Sequence, residues 1–149
     1  MTTTTSAVTT RLTAAQNRGL NKLGDVCIPG DDVLPSFSRS GVSADIGRML
    51  PYMHEADRSS LLLLLTVCAW LPKPAVQGIV ALAAAWRRAP EPIAGLLRMA
   101  NIGIKGVVHS LYWSALHDQG IHAAIGYDAT LNEAAYEASL QPPTAKEKQ

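Results

Sequence analysis

The chain has 149 residues, 48% of them hydrophobic, and a formal net charge of +1. That length sets one domain as the expectation, with enough apolar surface to bury a core unaided by disulfides or metals. The near-neutral charge excludes a general nucleic-acid binder, which needs a strong basic footprint. Aromatic residues make up only 5%, so Leu, Ala, Ile and Val must fill the core.

Residues 1–10 are Thr-rich, with neither an apolar h-region nor a twin-arginine pair. They are expected to be disordered, and the cytoplasm is the default compartment. Thr13 and Gln16 match the S/T-x-x-E/Q capping box. A first helix is predicted from there to about Leu23, with Leu20, Leu23 and Cys27 on one face and Gly24 as its C-cap glycine. A Pro/Asp/Ser-rich loop follows over residues 29–40, containing Asp31, Asp32 and the chain's single Phe, Phe37, which should be pinned to the body. The adjacent carboxylates suit a capping turn better than acid–base chemistry.

Ser43 is positioned to cap a second helix whose apolar face is Ile46, Met49, Leu50 and Met53. Pro51 must end or kink it. The third helix should start near Ala56, with Glu55 and Asp57 favourable at its N-terminus. Its run at 61–71 is apolar all round, which predicts a central helix. The run spans only about 17 Å, against ~30 Å of bilayer hydrocarbon, so no membrane span is expected. Pro72 ends this helix, Pro74 sits in the first turn of the next, and Arg87 and Arg88 close that one.

Pro92 opens a longer helical pattern that reaches about His117, with a break expected near 101–103. Gly95, Gly103 and Gly106 each cost about 1 kcal/mol there relative to Ala, a cost normally offset by close helix–helix approach. A weaker helix is predicted at 131–140 and a disordered tail at 141–149. No strand alternation, hairpin signal or internal repeat is present. The expected architecture is all-α: a compact bundle of five to seven helices in one domain, residues 11–140.

Cys27 and Cys68 each lie among apolar residues and lack C-x-x-C spacing, which reads as two structural thiols. The histidines do not have zinc-ligand spacing; His109 and His117 would stand ~12 Å apart along a helix. There is no G-x-S-x-G, no G-x-G-x-x-G and no phosphate-binding loop. No catalytic, cofactor-binding or metal residue is therefore assigned, although His109 and Tyr112 share a helical face and could pair with His117 in an enzyme. Tyr112, Trp113 and Tyr127 cluster in one stretch and have the character of interface anchors.

Two segments carry a family resemblance. Residues 20–37, L-N-K-L-G-D-V-C-I-P-G-D-D-V-L-P-S-F, resemble the A-D-x-I-I-P opening of the gluconate 2-dehydrogenase subunit 3 family. Residues 112–128, Y-W-S-A-L-H-D-Q-G-I-H-A-A-I-G-Y-D, are similar to its closing Y-Y-S-D-P-x-x-W-x-x-I-G-Y element, with Tyr112, Ser114, Ile125, Gly126 and Tyr127 in matching places. Ala115 and Leu116 stand where the family has Asp-Pro. The resemblance implies a helical accessory subunit without a cofactor of its own, bound in a hetero-oligomer to a large FAD-dependent oxidoreductase of the glucose–methanol–choline family. FAD would lie in that partner. The twin-arginine signal of many relatives is missing, so the periplasm would be reached only with a signal-bearing partner. The residues expected at the partner surface are Ile28, Pro29, Gly30, Asp31, Phe37, Tyr112, Trp113, Ile125, Gly126 and Tyr127. The alternative is a self-contained helical module for an apolar small molecule or lipid, held between the helices at 61–71 and 95–106.

Overall fold

Thr13 opens the first helix as the capping box requires: its hydroxyl accepts from the Gln16 amide, and the Gln16 side chain accepts from the Thr13 amide. In the computed structural model, which describes residues 11–114 and 120–127, this helix, α1, is Ala14–Cys27. It is followed by a 3-10 turn (Val42–Asp45), α2 (Ile46–Met49), a second 3-10 turn (Leu50–Tyr52), α3 (Glu55–Trp70), α4 (Lys73–Ala84), a third 3-10 turn (Ala85–Arg88), α5 (Ile93–Tyr112) and α6 (Ile121–Ala124). The fold is all-α, with six α-helices and no strand among the described residues. The regions expected to be tails, and the helix expected at 131–140, lie outside the described residues.

The central helix is α1, which touches α3, α4, α5 and the first 3-10 turn. Its Leu20 and Leu23 join Leu65, Cys68, Val76, Val108 and Tyr112 in one core. Gly19 sets the tightest crossing. A Cβ on it would overlap the Leu65 carbonyl, and the Ala69 amide lies 3.1 Å from the same point. Lys22 then reaches across to the end of α3, where its ammonium donates to the Ala69 and Leu71 carbonyls at 2.8 and 2.9 Å. These are the last carbonyls of a helix, which lack intrahelical donors and favour a cation.

Several expectations are corrected. Gly24 is not a C-cap. The helix runs on to Cys27, and Gly24 is buried because the Phe37 ring occupies the space of its missing side chain. Ser43 does not cap a helix; it lies inside the 3-10 turn that follows Gly41, whose φ is +73°. α3 is not central. Leu61 and Leu65 are buried, but Leu63 and Trp70 are 67% and 80% exposed. Hydrophobicity all round marks α3 as apolar without saying which sides have neighbours. α5 is unbroken through 101–103 and ends at Tyr112. Pro51 and Pro72 do interrupt their helices, and Pro74 does lie in the first turn of α4. Cys68 is buried, Cys27 is half-buried, and both are free thiols. No helix among the described residues is long and apolar enough to cross a membrane.

Candidate partner-binding surface

The loop after α1 is locked into one shape by its own polar groups. Gly30 has φ +76°, and the Ser36 backbone sits where a Cβ would project. Only glycine meets both demands. The Asp31 carboxylate accepts from the Val33 and Leu34 amides at 2.8 and 2.7 Å, while the Asp31 amide donates to the Leu34 carbonyl. This is an Asp-headed turn. The bonds from Leu34 and then Val33 hold the Asp31 carboxyl below its ordinary pKa. Asp25, on α1, clamps the far side of the loop by accepting from both the amide and the hydroxyl of Ser38 at 2.8 Å. The Phe37 amide donates to the Ile28 carbonyl, closing the loop.

The end of α5 meets this loop. Tyr112 is fully buried, and its hydroxyl donates to the Pro35 carbonyl at 2.6 Å. Burial, and secondarily the negative charge of Asp31, push the Tyr112 pKa up. The neutral hydroxyl is the form that can donate this bond. Trp113 packs edge-on to the Tyr112 ring, centroids 5.0 Å apart, and its indole N–H donates to His109 Nδ1 at 3.2 Å. Beyond residues 115–119, which are not described, α6 returns to the same place. His122 Nε2 lies 3.1 Å from the Trp113 carbonyl. A carbonyl only accepts, so this contact places the imidazole proton on Nε2. Tyr127 stands edge-on to His122, and its amide donates to the His122 carbonyl.

The ten expected partner residues therefore divide into three sets. Pro29, Asp31, Trp113, Ile125, Gly126 and Tyr127 are exposed. Phe37 and Tyr112 are fully buried. These two are corrected from contact residues to internal supports, because each fills a gap between the loop and a helix. Ile28 and Gly30 are half-buried; Ile28 packs against the core and its carbonyl accepts from the Phe37 amide. Val33, 66% exposed at the loop tip, belongs on the outer surface and was missed; a lone Val in a polar loop carries no pattern. The Asp25–Ser38 clamp was missed as well, since nothing in the spacing links a helical Asp to a serine thirteen residues on.

The catalytic alternative finds no assembled set among the described residues. The Tyr112 hydroxyl is committed to Pro35, His109 to Trp113, and His117 lies outside the described residues. No group of three or more His, Cys, Asp or Glu among the described residues could hold a metal ion.

A second feature is an apolar groove of about 410 Å³ between α3 and α5. Met53, Leu61 and Leu64 form one wall, and Leu96, Met99, Gly103, Ile104 and Val107 the other, with Asp57 its single charged lining residue. It lies between the two helices that the apolar-ligand alternative named, but as a half-open groove instead of a closed cavity.

No protein-family model, no curated protein and no solved structure matches this chain.

Proposed function

We propose that the chain is a non-catalytic accessory subunit that supports the folding, stability or assembly of a FAD-dependent alcohol or sugar dehydrogenase. The reading rests on the resemblance to the gluconate 2-dehydrogenase subunit 3 family. One observation carries it further: the Tyr112–Pro35 hydrogen bond, which ties together two resembling segments 77 residues apart in sequence. FAD and the reacting groups would belong to the partner. The outer surface carried by this latch, with Trp113, Ile125 and Tyr127 among its exposed apolar residues, would dock on it. Exposed aromatic rings on ordered backbone are the usual anchors of such contacts. The complex would work in the cytoplasm, or in the periplasm where the partner carries the export signal.

The test is co-expression of the tagged chain with flavoproteins encoded beside it. A flavoprotein should be retained with its yellow absorbance, and the double change Trp113→Ala and Tyr127→Ala should release it while Leu82→Ala, on α4, does not. Purification of the chain alone from every such pairing overturns the reading.

The α3–α5 groove favours a second reading, a binding module for an apolar small molecule. Ligand pockets usually enclose 70–90% of their guest, and a half-open groove encloses less. This keeps the accessory reading ahead.

A further inference from the structure

We propose that the surface carrying Trp113 is pH-sensitive: protonation of His109 frees the indole, while His122 keeps the backbone beneath it in place. The proposal rests on the accessory reading for the role of Trp113 as a partner contact. The switch itself belongs to this chain alone.

Two histidines hold Trp113, in chemically different ways. On the α5 side the indole N–H donates to His109 Nδ1. An indole nitrogen only donates, so this bond exists only while Nδ1 keeps a free lone pair. In that state the single imidazole proton of His109 sits on Nε2. A second proton has one place to go, Nδ1, and there it turns the acceptor into a donor facing the indole N–H. The bond is then lost outright.

His122 behaves differently. Its Nε2 lies 3.1 Å from the Trp113 carbonyl, and it donates there whether the ring carries one proton or two. A second proton strengthens this bond, because a charged donor makes the stronger contact. Acid therefore undoes the side-chain tether and leaves the backbone tether intact. The indole, 40% exposed, then keeps only its edge contact with the Tyr112 ring to orient it among the described residues.

His109 is exposed, so protons reach it from solvent. Imidazole is the side chain that ordinarily changes charge between about pH 5 and 8. The other charged and titratable groups around the pair come from three elements. Lys105 lies one turn earlier on α5. Asp31 acts on Tyr112 where the loop meets the end of α5. His122 and Tyr127 stand together at α6. His117 and Asp118 lie outside the described residues. Lys105 repels an imidazolium and Asp31 attracts it, so the two move the pH of the change in opposite directions. Neither alters which nitrogen takes the second proton.

Nuclear magnetic resonance of the isotope-labelled chain alone tests the switch. The three tryptophans give three indole N–H signals, assigned through Trp70→Phe and Trp86→Phe. The Trp113 signal should move along one titration curve with its half-way point between about pH 5 and 8. The nuclear Overhauser contact between the Trp113 and Tyr112 rings should fade over the same range. His109→Asn puts a non-titrating oxygen where Nδ1 stands, and both signals should then stay constant. A Trp113 signal that is fixed across this range overturns the proposal. So does one that titrates equally in His109→Asn, or one that moves while the ring contact persists.

The partner arm is separate. A flavoprotein retained at neutral pH should bind the wild-type chain about tenfold more weakly at the acid end, the scale of losing one anchor residue. The His109→Asn chain should keep it, and equal retention of the two chains in acid overturns the proposal. A chain that retains no flavoprotein at any pH overturns the proposed function and leaves the switch to the resonance test. A fixed indole overturns the switch and leaves the function standing.

Discussion

Gly19 and Gly103 are both mid-helix glycines, and their surroundings are opposite. At Gly19 the α3 backbone lies so close that any side chain would collide with the Leu65 carbonyl. At Gly103 there is open space, although α3 forms the other wall of the groove. The α1–α3 crossing is thus a finished interface, stitched further by Lys22 to the α3 carbonyls. Among the described residues, the α3–α5 side is an open groove. In both helices the glycine carries the same propensity cost, and among the described residues it is recovered through close packing only at α1.

The sharpest way to break this comparison is Gly19→Ala. The added methyl should force α1 and α3 apart and lower stability by about 3 kcal/mol, at the upper end of overpacking effects. Urea denaturation measures it, and a loss below that of an ordinary surface change would mean the crossing relaxes easily.

Tyr112→Phe comes next, at roughly 1.5 kcal/mol, because it leaves the Pro35 carbonyl without its donor. Its pH signature is specific. The folded-state pKa of Tyr112 is raised from 10.0, first by burial and then by Asp31. A raised folded value means that the stabilisation is fully present below pH 10.0 and is lost as pH climbs through the folded pKa. The thiols of Cys27 and Cys68, both raised from 9.0 by burial, add a loss of the same sign in either protein. The difference between wild-type and Tyr112→Phe denaturation curves should therefore be flat to about pH 10 and shrink above it.

Gly103→Ala should have the opposite sign to Gly19→Ala. It should stabilise by about 0.5–1 kcal/mol through helix propensity alone. A loss there would show that the groove closes on itself.

The smallest effect belongs to the loop. The Asp31 carboxyl is held low by the Leu34 and Val33 amides, so its contribution is present above the ordinary value of 3.8 and lost as pH falls through the lower folded value. Protection of the Leu34 amide, taken relative to its intrinsic exchange rate at each pH, should fall in acid, and Asp31→Ala should show that lower protection already at neutral pH.

Much of the local structure could be read from residue order. The Thr13–Gln16 box, the stops at Pro51 and Pro72 and the apolar face of Ile46 and Leu50 are all local, because capping and proline sterics act within one or two turns. Reading failed where two distant parts meet. Gly24 looked like a C-cap because its partner, Phe37, lies beyond a loop. The all-apolar run of α3 looked central because composition does not count neighbours. The candidate surface was legible as two separate segments, whereas their junction through Tyr112 and Pro35 was not.

The sequence by itself determined an all-helical chain and its stops at Pro51 and Pro72. These follow from hydrogen-bond chemistry and side-chain periodicity within each segment. Only the tertiary structure decided which helix is central, that Phe37 and Tyr112 support the surface from inside, and that one glycine is packed while another faces open space. Those outcomes depend on which backbones approach one another across the fold, and no spacing along a single helix records that.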